Sequence, residues 1–96
     1  MFARVTTMQG SPDQGDELAR RFQEQAIPLL RQLSGFKGVY WLANRQTGTV
    51  LGVALWESEE AMRASEAETA PRRNEGAQAM GATIESVEAY EVIAQA

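Results

Sequence analysis

The chain has 96 residues, 44% of them hydrophobic, with 9 basic against 13 acidic side chains and a net charge of −4. That length supports one core, so a single domain over residues 1–96 is expected, and a domain so small gains from pairing with a second subunit. The acidic balance argues against a nucleic acid partner, and no apolar run approaches the ~18 residues of a membrane span.

The composition holds neither histidine nor cysteine. Zinc, iron–sulfur and haem sites lean on those ligands, and serine–histidine or cysteine–histidine nucleophiles need them outright. A carboxylate-only Mg or Ca site would remain, but Glu57, Glu59, Glu60, Glu66 and Glu68 read as exposed helix residues without ligand-loop spacing, so no metal is expected. The N-terminus, Met1-Phe2-Ala3-Arg4-Val5, enters a strand-like pattern with no signal-peptide core, so a cytoplasmic location is expected.

Phe2 to Met8 is short and β-branched and runs into Gln9-Gly10-Ser11-Pro12, which reads as strand then turn. Ser11 or Asp13 can cap a helix, and Asp16 and Glu17 suit its first turn. Leu18, Phe22, Ala26 (or Gln25), Leu29 and Leu33 then recur at helical spacing. Pro28 removes one backbone donor and bends this helix, and Ser34-Gly35 ends it. The pair Arg20-Arg21 reads as part of its solvated face, as does Arg72-Arg73 further on.

A second strand runs from Phe36 to Arg45 and turns through Asn44-Arg45-Gln46-Thr47-Gly48. The third, Thr49 to Trp56, is apolar on both faces: Leu51, Val53 and Leu55 point one way, Val50, Gly52, Ala54 and Trp56 the other. Glu59 to about Glu68 follows as a helix, interrupted at Thr69-Ala70-Pro71. Pro71 suits the first turn of a further short helix reaching about Met80 and ended by Gly81. Thr83 to Ile93 alternates as a last strand, with Ile84, Ser86, Glu88, Tyr90 and Val92 on one face.

The order βαββ(αα)β is that of α+β, ferredoxin-like folds, with a four-stranded antiparallel sheet. Right-handed crossovers put the helices on one sheet face. The other face, carrying Leu51, Val53 and Leu55, stays bare, and a two-fold partner is the simplest cover for it. A homodimer through the sheet face is the expectation.

The run Leu55-Trp56-Glu57-Ser58-Glu59-Glu60-Ala61-Met62 resembles the signature of the antibiotic biosynthesis monooxygenase superfamily. Ile27-Pro28-Leu29-Leu30 and Leu33-Ser34-Gly35-Phe36, a long helix closing onto a strand that starts Gly-Phe, are similar to that family too. The resemblance implies a dimeric α/β barrel and a cofactor-independent monooxygenase acting on small aromatic compounds of quinol or anthrone type. Trp56 matches the tryptophan that lines the pocket of anthrone-oxidising members. Their asparagine four residues earlier is Gly52 here, and their tyrosine six residues later is Met62. Their helix arginine falls near Gly76, with Arg72 and Arg73 close by but not aligned. The haem-degrading branch uses a histidine that this chain lacks, and its tryptophan falls at Ser65, so no haem is expected.

Trp56 and Tyr40 are the candidate catalytic residues, the first stacking planar rings and the second relaying a proton through its hydroxyl. Gly52 would leave room beside Trp56. Trp56, Gly52, Met62, Arg72 and Phe22 are the candidate substrate-binding set. Against each stands a purely structural role: a core aromatic for Trp56, packing for Tyr40, Phe22 and Met62, a solvated face for Arg72. The alternative function is a non-enzymatic dimeric module that binds a small ligand or another protein.

Overall fold

A computed structural model describes residues 1–96. Strands β1 (Phe2–Gln9), β2 (Phe36–Asn44), β3 (Thr49–Trp56) and β4 (Thr83–Glu91) form one antiparallel sheet in the order β2-β3-β1-β4. The ferredoxin-like α+β arrangement is the expected one. A 3₁₀ turn, Pro12–Gln14, leads into α1 (Gly15–Arg21) and α2 (Ile27–Arg31), which are joined by a π turn at Phe22–Ala26. The second helical segment is α3 (Glu59–Ala79).

Two expectations about the helices need correction. The first helix does not simply bend at Pro28. It widens one turn earlier, where the Ile27 N–H reaches back to the Phe22 carbonyl. Pro28 has no N–H to continue the α ladder, and the wider turn accommodates that gap.

The second region is one helix, not two: α3 runs straight through Pro71. One side-chain bond before the proline and one across it hold it. The Thr69 hydroxyl donates to the Ser65 carbonyl at 3.0 Å, and Arg73 Nη1 lies 3.0 Å from Glu66 Oε1. These ties within α3, together with the Arg4 guanidinium of β1 held by Ser65 and Glu66, offset the roughly 3 kcal/mol that an interior proline costs a helix.

The junction between helix and strand depends on Gly35. Its φ of 80° is left-handed, and its carbonyl accepts from the Glu57 N–H at 2.8 Å. A side chain there would put its first carbon 2.5 Å from the Ala61 side chain. Only glycine lets the end of the first helix approach the start of α3 so closely. Ser58 caps α3 by accepting from the Ala61 N–H at 3.1 Å.

β1 and β3 pair in unbroken register, Arg4 with Ala54, Thr6 with Gly52, Met8 with Val50, and these residues face the helices. The core on that side forms two clusters. Met8, Leu18, Val50, Ala77 and Met80 make one, and Leu30, Trp56 and Met62 make the other.

The opposite face carries Leu51, Val53 and Leu55, each half-buried, beside Tyr40 and Leu42 at 65% and 51% exposure and Tyr90 at 50%. Two bulges set which side chains reach which face. One lies between Phe36 and Gly38 on β2; the other lies opposite Thr7 and Met8, so that Met8 pairs with Ile84 while Thr7 pairs with Ser86. Ile84 therefore packs with the helix-side core, whereas Ser86 pairs on the bare face, contrary to a simple alternation along β4.

Candidate functional site

Between the two core clusters lies a cavity of about 370 Å³. The sheet forms its floor through Arg4, Thr6 and Met8 of β1, Val39 and Trp41 of β2, and Gly52 and Ala54 of β3. One wall comes from the first helical segment, with Leu18, Arg21, Phe22, Gln25, Ala26 and Leu29. The other comes from the C-terminal half of α3, including Thr69, Arg72, Arg73, Glu75 and Gly76. The π turn lies within the first wall, and Pro71 falls between Thr69 and Arg72 of the second.

Trp41 dominates the floor. Its indole stacks on the Phe22 ring with centroids 4.3 Å apart and 5° between planes. It pairs with Gly52 in register, and a side chain at Gly52 would lie 3.1 Å from Trp41 Nε1. Gly52 was expected to open space beside Trp56. The structure gives that space to the Trp41 indole instead, because adjacent strands bring a large ring and a bare backbone face to face.

Trp56 is completely buried. It packs with Leu30 and Met62 and meets the Phe36 ring edge-on at 5.5 Å, so the core role expected of it is present. It borders the cavity from behind this packing, with no surface open to solvent, and its buried Nε1 has no hydrogen-bond partner. Met62, 3% exposed, is packed against the same cluster and does not line the cavity. Phe22 and Arg72 do line it.

Tyr40 does not reach the site. The bulge after Phe36 places both Phe36 and Val39 on the helix side, so Trp41 follows them and Tyr40 projects from the bare face. One extra residue after Phe36 exchanges the faces that strict alternation would give Tyr40 and Trp41.

The remaining polar wall is built around Arg4, a buried charge in an apolar strand. Its guanidinium donates to the Met62 carbonyl at 2.8 Å and the Ser65 hydroxyl at 3.1 Å, and pairs with Glu66 Oε2 at 2.7 Å. Glu66 also holds Arg73, so one carboxylate bridges two guanidinium groups. Burial lowers the pKa of Arg4, Glu66 opposes this, and the like charge of Arg73 adds to it.

Arg21 was expected on a solvated face with Arg20. Arg20 is there, paired with Glu17, but Arg21 turns to the cavity and its buried Nε finds no hydrogen-bond partner. Sequence reasoning missed Arg4, Arg21 and Trp41. For Arg4 a signal existed, since a charge among apolar helix-facing strand positions is buried only when something holds it.

The description "antibiotic biosynthesis monooxygenase" belongs to the family that matches residues 1–73. An uncharacterized protein of Mycobacterium tuberculosis is 33% identical over 94 residues, which is 98% of this chain and 42% of that protein. A second uncharacterized protein of that organism is 35% identical over 77 residues, 80% of this chain and 33% of the relative. The chain thus spans less than half the length of these curated relatives.

Among solved structures, a haem-degrading enzyme of Mycobacterium tuberculosis with two haems in its active site superimposes with a TM-score of 0.78 at 25% identity, over 100% of this chain and 99% of that one. A monooxygenase of Streptomyces coelicolor in complex with nanaomycin D gives 0.70 at 20% identity, over 99% and 92%. With the matched region reaching from the first strand through Pro71, the chain belongs to the antibiotic biosynthesis monooxygenase family.

Proposed function

We propose that this chain is a cofactor-independent oxygenase for a small planar aromatic of quinol or anthrone type. One observation carries this reading: an arginine-rimmed cavity of about 370 Å³ faced by Trp41 and Phe22. That volume falls in the lower part of the ~300–1,000 Å³ range of small-molecule sites. An empty apolar void of that size would cost on the order of 9 kcal/mol at ~24 cal/mol per Å³, comparable with a small domain's whole stability. Its polar rim instead suits solvent or a ligand.

The chemistry asks little of the protein. An anthrone or quinol anion passes one electron to O₂, and the radical pair combines to a peroxide on the substrate carbon. Loss of water from that peroxide leaves a carbonyl, so CH₂ and O₂ become C=O and H₂O. The residues bind the ring, exclude bulk water and steady the anion. Trp41 supplies the stacking surface, and an arginine at the rim stabilises the enolate oxygen, which lowers the substrate's own pKa.

The ligand sets of the cavity do not fit a haem iron. The lining holds no imidazole, thiolate or phenol, and its thioethers, Met8 and Met80, are committed to core packing. A homodimer completes the reading, with Tyr40, Leu42, Val53 and Tyr90 on the face it would cover. So do one domain over residues 1–96 and a cytoplasmic setting. No helix is long and apolar enough to cross a membrane.

A second reading is a ligand-binding module without turnover. Glu75, on the exposed side of α3, is the one carboxylate in the lining, so no buried base is at hand. Oxygen uptake with menadiol- and anthrone-type compounds separates the two. Uptake above buffer that drops in Trp41→Ala supports the oxygenase; uptake equal to buffer rejects it and leaves the binding module.

A further inference from the structure

We propose that the cavity selects ring compounds bearing a carboxylate, and that Arg21 and Arg72 receive this group while the ring rests by Trp41. The inference rests on the reading of the cavity as a site for planar rings and adds the charge of the ligand to it.

The chain as a whole is acidic, at −4, yet four arginines and one glutamate line the cavity. Two of those arginines are already neutralised, since Glu66 holds Arg4 at 2.7 Å and Arg73 at 3.0 Å. Arg21 is not. Its nearest carboxylate oxygen, Glu17 Oε1, lies 3.9 Å from Nε, too far for a hydrogen bond, and that same oxygen is bonded to Arg20. Its Nε is left buried with no hydrogen-bond partner. Arg72 takes part in no ion pair.

A buried, unpartnered donor on a charged group is costly, and native structures rarely keep one without a use. Neither guanidinium group is hydrogen-bonded to a carboxylate, and the two border the same space from opposite walls. A carboxylate accepts a planar guanidinium fork at each oxygen, which matches two arginines better than a point charge does. The rest of the lining is mainly apolar, with 14 hydrophobic residues among 24, so the body of the ligand is a hydrocarbon ring.

Calorimetric titration of the full chain with 2-naphthoate and with 2-naphthamide, its neutral counterpart, tests this. The expected result is at least about tenfold tighter binding of the acid, as charge-assisted bonds provide. That advantage disappears in Arg21→Gln and shrinks in Arg72→Gln, and it weakens as salt rises. Arg63→Gln, a change on the exposed side of α3 and away from the cavity lining, leaves it intact. If the amide binds as tightly as the acid, or the advantage survives in the Arg21→Gln/Arg72→Gln double variant, the carboxylate site is wrong and the ring cavity stands. If neither compound binds, the cavity reading itself fails and takes this inference with it.

Discussion

Phe22 lies flat on Trp41, 4.3 Å from centroid to centroid, and so joins the π turn of the first helical segment to the middle of β2. Trp41 in turn rests beside Gly52, so helix, ring and bare backbone are packed in series. Gly52→Ala inserts a methyl 3.1 Å from the indole nitrogen, and the ring cannot retreat without disturbing Phe22. Overpacking of this kind costs about 1–3 kcal/mol. The expected outcome is a weaker near-ultraviolet circular dichroism signal and a lower urea midpoint. Trp41→Ala should weaken aromatic ligands by about tenfold, since stacking adds ~0.5–1.5 kcal/mol beyond area alone.

Arg4 links β1 to α3 through the Met62 carbonyl, Ser65 and Glu66. Arg4→Met keeps the bulk and removes every one of those bonds. The Met62 carbonyl then loses its guanidinium partner, and Glu66, itself 42% exposed, keeps Arg73. A loss of about 2–3 kcal/mol is expected, below the figure for a fully buried pair because Glu66 is partly solvated. Denaturant unfolding measures it, and a change under about 0.5 kcal/mol, typical of a surface site, would remove Arg4 from this structural role.

The bare sheet face predicts association. Val53→Glu places a carboxylate among Tyr40, Leu42 and Leu51, and a two-fold axis brings two such charges together. Sedimentation should change from a dimer in the parent to a single subunit in the variant. A parent that already sediments as a single subunit at micromolar concentration contradicts the expected dimer.

On the same face, Glu88 raises the pKa of Tyr90, chiefly through its negative charge, with desolvation adding to it. The neutral phenol is thus favoured in the folded chain. Its stabilising effect is present below the ordinary tyrosine value and is lost as pH rises through the raised folded value. In a Tyr40→Phe background, ultraviolet titration should give a midpoint above the ordinary phenol value, and Glu88→Gln should bring it down. An unchanged midpoint in Glu88→Gln would show that the carboxylate is not the cause.

The order and nature of the elements were legible because period, turn chemistry and caps are local properties. The start of α3 at Glu59, Gly35 after the first helix and the strand Thr49 to Trp56 each stand where the sequence places them. Pro71 was misread for the same reason. Locally it marks a helix start, and only the ties among Arg4, Ser65, Glu66 and Arg73 carry the helix through it.

The site was legible in part. The candidates Phe22 and Arg72 line the cavity, and Trp56 borders it from within the core. Tyr40 and Trp41 could not be sorted, because a single extra residue near Lys37 exchanges their faces and leaves no mark that alternation can detect. Arg21 and Arg20 are adjacent and chemically alike, yet one faces solvent and the other the cavity.

The sequence by itself determined the ββ hairpin, two helical covers and a sheet apolar on both sides, since these follow from spacing between near neighbours in the chain, and the resemblance of its Leu55–Met62 run pointed to the family. Only the tertiary structure decided that the core splits around a cavity, that Trp41 rather than Tyr40 faces it, and that one carboxylate neutralises two of four arginines. Those outcomes depend on contacts between residues about 60 apart, such as Arg4 and Ser65, whose separation in the chain is 61, and on bulges that shift register by one position. Periodicity carries no information about either.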